Sequence, residues 1–164
     1  MTTPKPVRAD GLWADDLSIG QTFTSGTYRM EESEMLDFAR HYDPQPYHLD
    51  EDAAAGTFFN GLVASGWHTS AVSMRLSVEA FPVATGIVGA GGEFTWPSAT
   101  VAGDELHVEM TIKDLRWSKS RPDQAILSVG SRTLNQDGQV RQSGTMNLLT
   151  WRRPEKRNSR PVKE

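Results

Sequence analysis

One run of helical periodicity followed by stretches of strand periodicity is the feature that most constrains this fold. After Gly66, apolar residues recur at steps of four, three, four and three, which predicts one long helix that ends at Pro82. Val72 and Leu76 form a second apolar row, so we expect this helix to be mostly buried. The main stripe consists of Trp67, Ala71, Met74, Val78 and Phe81.

Period two dominates the second half of the chain. Residues 87–96 read as a strand, and residues 105–112 alternate cleanly between apolar and polar side chains. The apolar phase then slips by one residue, which predicts a β-bulge near residues 113–114. The sequence at 135–138, Asn-Gln-Asp-Gly, predicts a hairpin turn before a last strand over residues 140–151.

The first half of the chain adds one interrupted strand and one helix. Residues 21–30 predict a strand broken near Ser25-Gly26, and residues 35–42 have helical spacing between an acidic start and Pro44. The whole order predicts an α+β hot-dog fold, in which a bent antiparallel sheet wraps the long helix. The open edge of such a sheet is commonly covered by a second copy, so we expect a homodimer or a larger homo-oligomer.

Composition limits the classes of function. The chain has 164 residues, which suits one domain, and its net charge of −4 gives no broad attraction for nucleic acid or an anionic membrane. Zero cysteines exclude disulfides, thiolate metal sites and a cysteine nucleophile. The chain shows no signal-peptide pattern and no apolar run of about 18 residues, so we expect a cytoplasmic protein.

Three segments are predicted along the chain. Residues 1–11 contain two prolines and few apolar side chains and are interpreted as an N-terminal arm. Residues 12–151 form the domain. Residues 152–164 contain six Lys or Arg against two Glu, a net +4, and are expected to be a disordered basic tail.

The densest polar motif is Asp43-Pro44-Gln45-Pro46-Tyr47-His48. Two prolines fix two φ angles, so the two ionisable side chains lie five positions apart on a rigid turn. Water is a poor nucleophile at neutral pH, and a positioned base contributes about 10²- to 10⁴-fold to its addition. A histidine can accept a proton at cellular pH, and Asp43 can accept a second hydrogen bond from the same water.

This segment resembles the MaoC-like, or (R)-specific hydratase 2, signature of Asp, any residue, Asn, Pro, an apolar residue and His. The resemblance continues through residues 49–54, 59–66, 96–97 and 101–104, and so covers most of the domain. It implies that Asp43 and His48 are the catalytic pair. It also implies that the amide of Gly66 receives the thioester oxygen.

The resemblance has two departures, because Gln45 stands where asparagine is usual and Ser65 where histidine is frequent. Gln45, Tyr47, Ser65 and Trp67 are assigned supporting or substrate-binding roles. The implied reaction is reversible hydration of a trans-2-enoyl thioester, with an acyl-CoA type of substrate, to the (R)-3-hydroxyacyl thioester. Coenzyme A belongs to the substrate, and no separate cofactor is expected.

Two other functions stay open. A thioesterase shares the fold and also uses an acidic residue near the helix start, although the Asp43-to-His48 loop argues against it. The departures at Gln45 and Ser65 motivate a non-catalytic acyl-thioester-binding module.

The remaining polar and aromatic residues are interpreted as structural. His68 and His107 are interpreted as satisfied or solvated, His41 is ambiguous, and no spacing suggests a metal site. The glycine-rich residues 86–92 lack a phosphate-loop pattern and are read as strand glycines that let the sheet bend. The aromatic residues Phe58, Phe59 and Trp96 are expected in the core rather than in a pocket.

Overall fold

The long alternating stretches of the second half form the sheet that supports the rest of the chain. The computed structural model describes residues 6–154. A short 3-10 helix spans Ala14–Asp16, and the α-helices are α1 Glu32–Tyr42, α2 Pro46–Leu49, α3 Glu51–Ala54 and α4 Gly66–Ala80. Its strands are β1 Thr22–Thr24, β2 Tyr28–Arg29, β3 Val88–Thr95, β4 Glu105–Trp117, β5 Gln124–Leu134 and β6 Val140–Trp151.

The strands form one antiparallel six-stranded sheet in the order β1-β4-β5-β6-β3, with β2 also paired to β4. The register of β4 against β5 shifts between Ile112 and Asp114, which confirms the predicted bulge. The predicted hairpin is also confirmed, because β5 and β6 are joined by a turn in which Gly138 has a φ of 74°. This is the α+β architecture expected from the sequence.

The alternating apolar residues of β4 lie at the centre of the core. Leu106, Val108, Met110 and Ile112 are each at most 1% exposed, and α4 packs across β4 and β6. This burial supplies the main driving force for folding, because apolar area of β4 is removed from water beneath α4. No helix within residues 6–154 combines the length and the apolar character that a membrane crossing requires.

The orientation of α4 differs from the prediction. Trp67, Met74 and Val78 are 64%, 41% and 41% exposed, and Ala71 is exposed as well, so most of the predicted stripe faces outward. Phe81 alone is buried, at 1% exposed. The buried side carries instead His68, Thr69, Val72, Ser73, Leu76 and Ser77.

Small hydroxyl residues make this inverted packing possible. Ser73 Oγ donates to the Thr69 carbonyl at 2.7 Å, and Ser77 Oγ donates to the Ser73 carbonyl at 2.8 Å. Ser73 also forms a hydrogen bond of 2.7 Å with Thr133 of β5. Buried polar atoms cost little when they are hydrogen-bonded, so α4 can turn these side chains toward the sheet.

The glycines of β3 introduce an irregularity in the sheet. The register of β3 against β6 shifts between Gly89 and Gly92. A Cβ on Gly92 would lie 2.8 Å from the Thr145 carbonyl oxygen, so glycine is needed for this close approach. The finding agrees with glycines that let the strand bend.

Both ends of the described chain contact the domain. The N–H of Val7 donates to the Ala84 carbonyl at 2.7 Å. Arg152 Nη1 lies 3.0 Å from Asp15 Oδ1, and Arg153 pairs with Asp16, so the first two residues of the expected disordered tail are bound to the domain. The prediction for residues 1–5 and 155–164 lies outside the described residues.

Candidate active site

Asp43 and His48 are brought together because one helix ends and another begins between them. Asp43 follows the last residue of α1, and α2 begins at Pro46, where a proline suits the first helical position. The N–H of Gln45 donates to the Asp43 carbonyl at 2.7 Å, and that of His48 donates to the Gln45 carbonyl at 2.9 Å. This tight turn leaves His48 Nε2 3.4 Å from Asp43 Oδ2.

The tautomer of His48 follows from its second nitrogen. The side chain is buried, and Nδ1 lies 2.8 Å from the Val63 carbonyl oxygen. A carbonyl only accepts, so Nδ1 carries the proton in the neutral ring and Nε2 keeps its lone pair. Nε2 and Asp43 Oδ2 are then two acceptors side by side, an arrangement that a water molecule can bridge with its two O–H groups.

The carboxylate of Asp43 is oriented by two further side chains. Gln45 Nε2 donates to Oδ1 at 2.8 Å, and Ser65 Oγ donates to Oδ2 at 2.7 Å. Burial raises the pKa of Asp43, but these hydrogen bonds and the attraction of His48 in its protonated form outweigh it, so the pKa lies below its ordinary value. The Tyr47 hydroxyl donates to Gln45 Oε1. Gln45 and Ser65, the two departures from the family signature, therefore both form a hydrogen bond with Asp43.

The start of α4 places a backbone donor beside the pair. The first N–H groups of a helix have no partner within the helix. Ser65 is the N-cap, and its Oγ accepts from the N–H of Trp67 at 3.2 Å. Within residues 6–154 the N–H of Gly66 has no acceptor. It is available for an oxygen that carries negative charge, a charge that the helix dipole also favours.

These groups share one open cavity of about 360 Å³. Sequence reasoning placed Phe58, Phe59 and Trp96 in the core, and this was wrong: they are 95%, 38% and 41% exposed and lie on the cavity wall. Hydrophobicity marks an aromatic side chain for an apolar contact but does not say whether that contact is with core or ligand. The lining is Asp43, Gln45, Tyr47, His48, Phe58, Phe59, Ala64, Gly66, Trp67, Thr69, Trp96, Ser98, Ala99 and Thr100.

The other histidines lie apart from the Asp43 pair. His68 is stacked on Phe38 with ring centroids 4.7 Å apart, and burial lowers its pKa. Its Nδ1 is buried without a hydrogen-bond partner in the described chain, so the expectation of a satisfied or solvated side chain was wrong for this atom. His41 Nδ1 donates to the Asp37 carbonyl at 2.7 Å. Within residues 6–154 no three His, Cys, Asp or Glu side chains are grouped to hold a metal ion.

Sequence reasoning missed the groups that fix the site from a distance. The carbonyl of Val63, which binds His48, lies 15 residues from it in the sequence. Gln142, which binds Trp96, lies 46 residues from Trp96 in the sequence. A carbonyl partner leaves no mark in the side-chain pattern, and Gln142 looks like one more polar residue of β6. Neither has a one-dimensional signal that could have found it.

The comparison with known families agrees with this geometry. The family model for the MaoC like domain matches residues 16–131, which is more than half of the chain. The chain belongs to the MaoC-like dehydratase family. This confirms the resemblance inferred from the Asp43-to-His48 motif, and it places the MaoC-like chain among hydratase and dehydratase enzymes.

Three similar proteins each match most of the MaoC-like chain. It is 33% identical over 125 residues to the uncharacterized protein YdeM of Bacillus subtilis (strain 168), covering 74% of this chain and 86% of that protein. The crystal structure of the MaoC-like dehydratase from Rhodospirillum rubrum is 51% identical, with a TM-score of 0.86 and coverage of 88% and 99% of the two chains. The unliganded R-hydratase PhaJ1 from Pseudomonas aeruginosa, 22% identical, has a TM-score of 0.69 over 94% and 97% of the chains. The first structural match confirms the hot-dog fold, and the second shows the same fold.

Proposed function

We propose that this MaoC-like protein reversibly hydrates a trans-2-enoyl thioester to the (R)-3-hydroxyacyl thioester, with coenzyme A as the carrier in its substrate. One observation carries the proposal. Nε2 of His48, which is the nitrogen without a proton in the neutral ring, lies 3.4 Å from Oδ2 of Asp43, in the same cavity as the amide of Gly66. A water bridging the two acceptors has its own lone pairs directed away from them, toward a bound substrate.

The reaction balances with these groups alone. As the water oxygen bonds to C3 of the enoyl group, His48 Nε2 takes one water proton, and the electron pair of the C2–C3 double bond moves onto the thioester oxygen. The N–H of Gly66 stabilises that oxygen, together with the positive end of the α4 dipole. The electron pair then returns as C2 takes a proton from the Asp43 and His48 pair. No cofactor is needed for any of these steps.

Incubation with crotonyl-CoA tests the reaction class. Loss of the conjugated enoyl absorbance without release of free thiol supports hydration. Release of free thiol identifies a thioesterase on the same fold. Tight binding with neither change identifies an acyl-thioester-binding module. Chiral analysis of the 3-hydroxybutyryl product then checks the (R) configuration, and an (S) product contradicts that part of the proposal.

We also propose that the protein works as a homodimer built on the outer face of α4 and the free edge of β3. The face of α4 that carries Trp67, Met74 and Val78 is apolar and exposed. Within the described chain β3 pairs only with β6, so its other edge is open. Trp67 contacts Trp96, the residue after β3, with ring centroids 5.6 Å apart, and so joins the two surfaces.

A second copy fits this surface better than a different partner. An open strand edge pairs with another strand, and a two-fold axis brings identical edges and identical helix faces together. Light scattering at micromolar concentration tests it: wild type should be dimeric and Val78→Arg monomeric, while Glu79→Ala on the adjacent exposed position stays dimeric. A wild-type monomer, or a dimeric Val78→Arg variant, contradicts this interface.

A further inference from the structure

The indole of Trp96 lies directly against the backbone of Gly66. A Cβ at position 66 would be 3.1 Å from Trp96 Cε2 and 3.2 Å from Cδ2, which is closer than side chains normally approach. Glycine therefore allows the indole to cover the start of α4. Because Trp96 also lines the cavity that holds Asp43 and His48, its exposed part forms a wall beside the free amide of Gly66.

Gln142 fixes the position of this wall. Trp96 Nε1 donates to Gln142 Oε1 at 3.1 Å, and Ser70 Oγ donates to the same oxygen at 2.6 Å. Gln142 is 4% exposed, so the loss of either bond would leave a buried polar atom with one partner fewer. Trp67 adds an edge-to-face contact on Trp96, with the ring planes at 72°. The indole is thus held on several sides and cannot easily turn away from a ligand.

A rigid wall at Gly66 restricts the part of the acyl group nearest the thioester carbonyl. If the carbonyl oxygen accepts from the N–H of Gly66, both neighbours of the carbonyl carbon, C2 and the sulfur, lie close to the indole, whereas the far end of the acyl chain is further away. We propose that Trp96, positioned by Gln142, makes the site selective for acyl groups without a branch at C2. This inference rests on the proposed function for the placement of the carbonyl.

Two saturated thioesters that cannot be hydrated provide the test. Butyryl-CoA and 2-methylbutyryl-CoA have the same four-carbon main chain and differ only by a methyl branch at C2. By calorimetry, wild type should bind butyryl-CoA about 10-fold more tightly, a difference of the size that one methyl group produces in a shaped pocket. Trp96→Ala should reduce the ratio to about 2-fold or less, because the wall is removed. A ratio of one in wild type, or an unchanged ratio in Trp96→Ala, overturns the inference.

Variants of Gln142 separate the positioning role from general damage. Gln142→Leu removes the acceptor and should lower the butyryl preference, whereas Gln142→Glu keeps an acceptor oxygen and should retain it. Trp117→Ala, at an exposed tryptophan outside the cavity lining, is the matched control and should keep the wild-type ratio. Circular dichroism and thermal unfolding establish that each variant is folded. A Gln142→Leu variant with the wild-type ratio overturns the role of Gln142.

The outcomes distinguish this inference from the proposed function. Hydration of crotonyl-CoA with a ratio independent of Trp96 overturns the selectivity and leaves hydration in place. A ratio that depends on Trp96 without any hydration overturns the proposed function and supports a branch-selective thioester-binding site. Failure of both thioesters to bind overturns the inference together with the placement of the substrate.

Discussion

Ser65 links Asp43 to the start of α4 through one hydroxyl group. Its Oγ donates to Asp43 Oδ2 at 2.7 Å and accepts from the N–H of Trp67 at 3.2 Å. The same atom therefore caps the helix and orients the carboxylate. It also helps to lower the pKa of Asp43, after burial has raised it, so the carboxylate is ionised when water binds.

Replacing Ser65 by Ala should raise the pKa of Asp43 toward its ordinary value, because the carboxylate loses one of the donors that lower it. The lost cap should also cost about 1 kcal/mol of stability. NMR titration of the Asp43 carboxyl carbon measures the pKa, and urea unfolding measures the stability. Ser65→Thr keeps a hydroxyl and should stay close to wild type, and an unchanged pKa of Asp43 in Ser65→Ala would contradict this role.

A buried ion pair fixes the loop that lines one side of the cavity. Asp104 and Arg141 are 2% and 8% exposed, with Arg141 Nε 2.8 Å from Asp104 Oδ2 and Nη2 2.9 Å from Oδ1. Asn135 Nδ2 donates to the same carboxylate at 3.0 Å, and Arg141 Nη1 donates to Ser98 Oγ at 3.0 Å. Ser98 lines the cavity, so this network connects β6 to the cavity wall.

Asp104→Asn should destabilise the protein by about 3–5 kcal/mol at pH 7, because the buried Arg141 loses its partner. Burial raises the pKa of Asp104. The hydrogen bonds from Arg141, Asn135 and the N–H of Val101 lower it by more than burial raises it, so the pKa of Asp104 lies below its ordinary value. That stability is present above the ordinary pKa of aspartate, about 3.9, and is lost as the pH falls through the lowered value.

The difference in the free energy of unfolding between wild type and Asp104→Asn should therefore become smaller at acid pH. Urea unfolding at neutral pH and at increasingly acid pH measures it. Asp37→Asn, at a side chain that is 69% exposed, is the control and should change stability little. If this difference in unfolding free energy stays constant down to the pH at which wild type unfolds, the charge of Asp104 does not contribute to stability.

Arg152→Ala should cost about 1–2 kcal/mol of stability. Its guanidinium lies 3.9 Å from the centre of the Trp117 ring and 3.0 Å from Asp15 Oδ1, whose side chain is only 9% exposed. A cation over an aromatic ring and a hydrogen bond between charged groups each stabilise by about 1 kcal/mol or more when partly buried. Thermal unfolding measures the loss, with Arg116→Ala as an exposed control. Equal melting temperatures for Arg152→Ala and wild type would show that this contact contributes nothing.

Periodicity predicted the elements of the fold because each element repeats its pattern over many residues. The alternation in β4, the slip near Asp114 and the run after Gly66 all correspond to observed structure. The same pattern gave the wrong orientation for α4. Trp67 and Met74 form an apolar stripe whether they face a core or another molecule, and the sequence does not contain that distinction.

The local part of the site was predictable and the long-range part was not. Asp43 and His48 are five positions apart with prolines between them, so their proximity follows from local geometry. The contacts of Ser65 with Asp43 and of Gln142 with Trp96 span 22 and 46 residues and depend on how the helix packs on the sheet. Sequence reasoning could name Ser65 as a departure from the family pattern but not as a partner of Asp43.

Steady-state hydration of crotonyl-CoA by wild type, Asp43→Asn and His48→Ala tests the central claim most directly. We predict measurable turnover by wild type and a loss of roughly 10²-fold or more in kcat for each variant, because Asp43→Asn replaces the carboxylate by a neutral amide and His48→Ala removes the nitrogen that takes the water proton. His41→Ala and Asp37→Asn, at exposed residues of α1, should keep wild-type rates. Wild-type turnover in a folded His48→Ala or Asp43→Asn variant would contradict the claim that this pair activates the water.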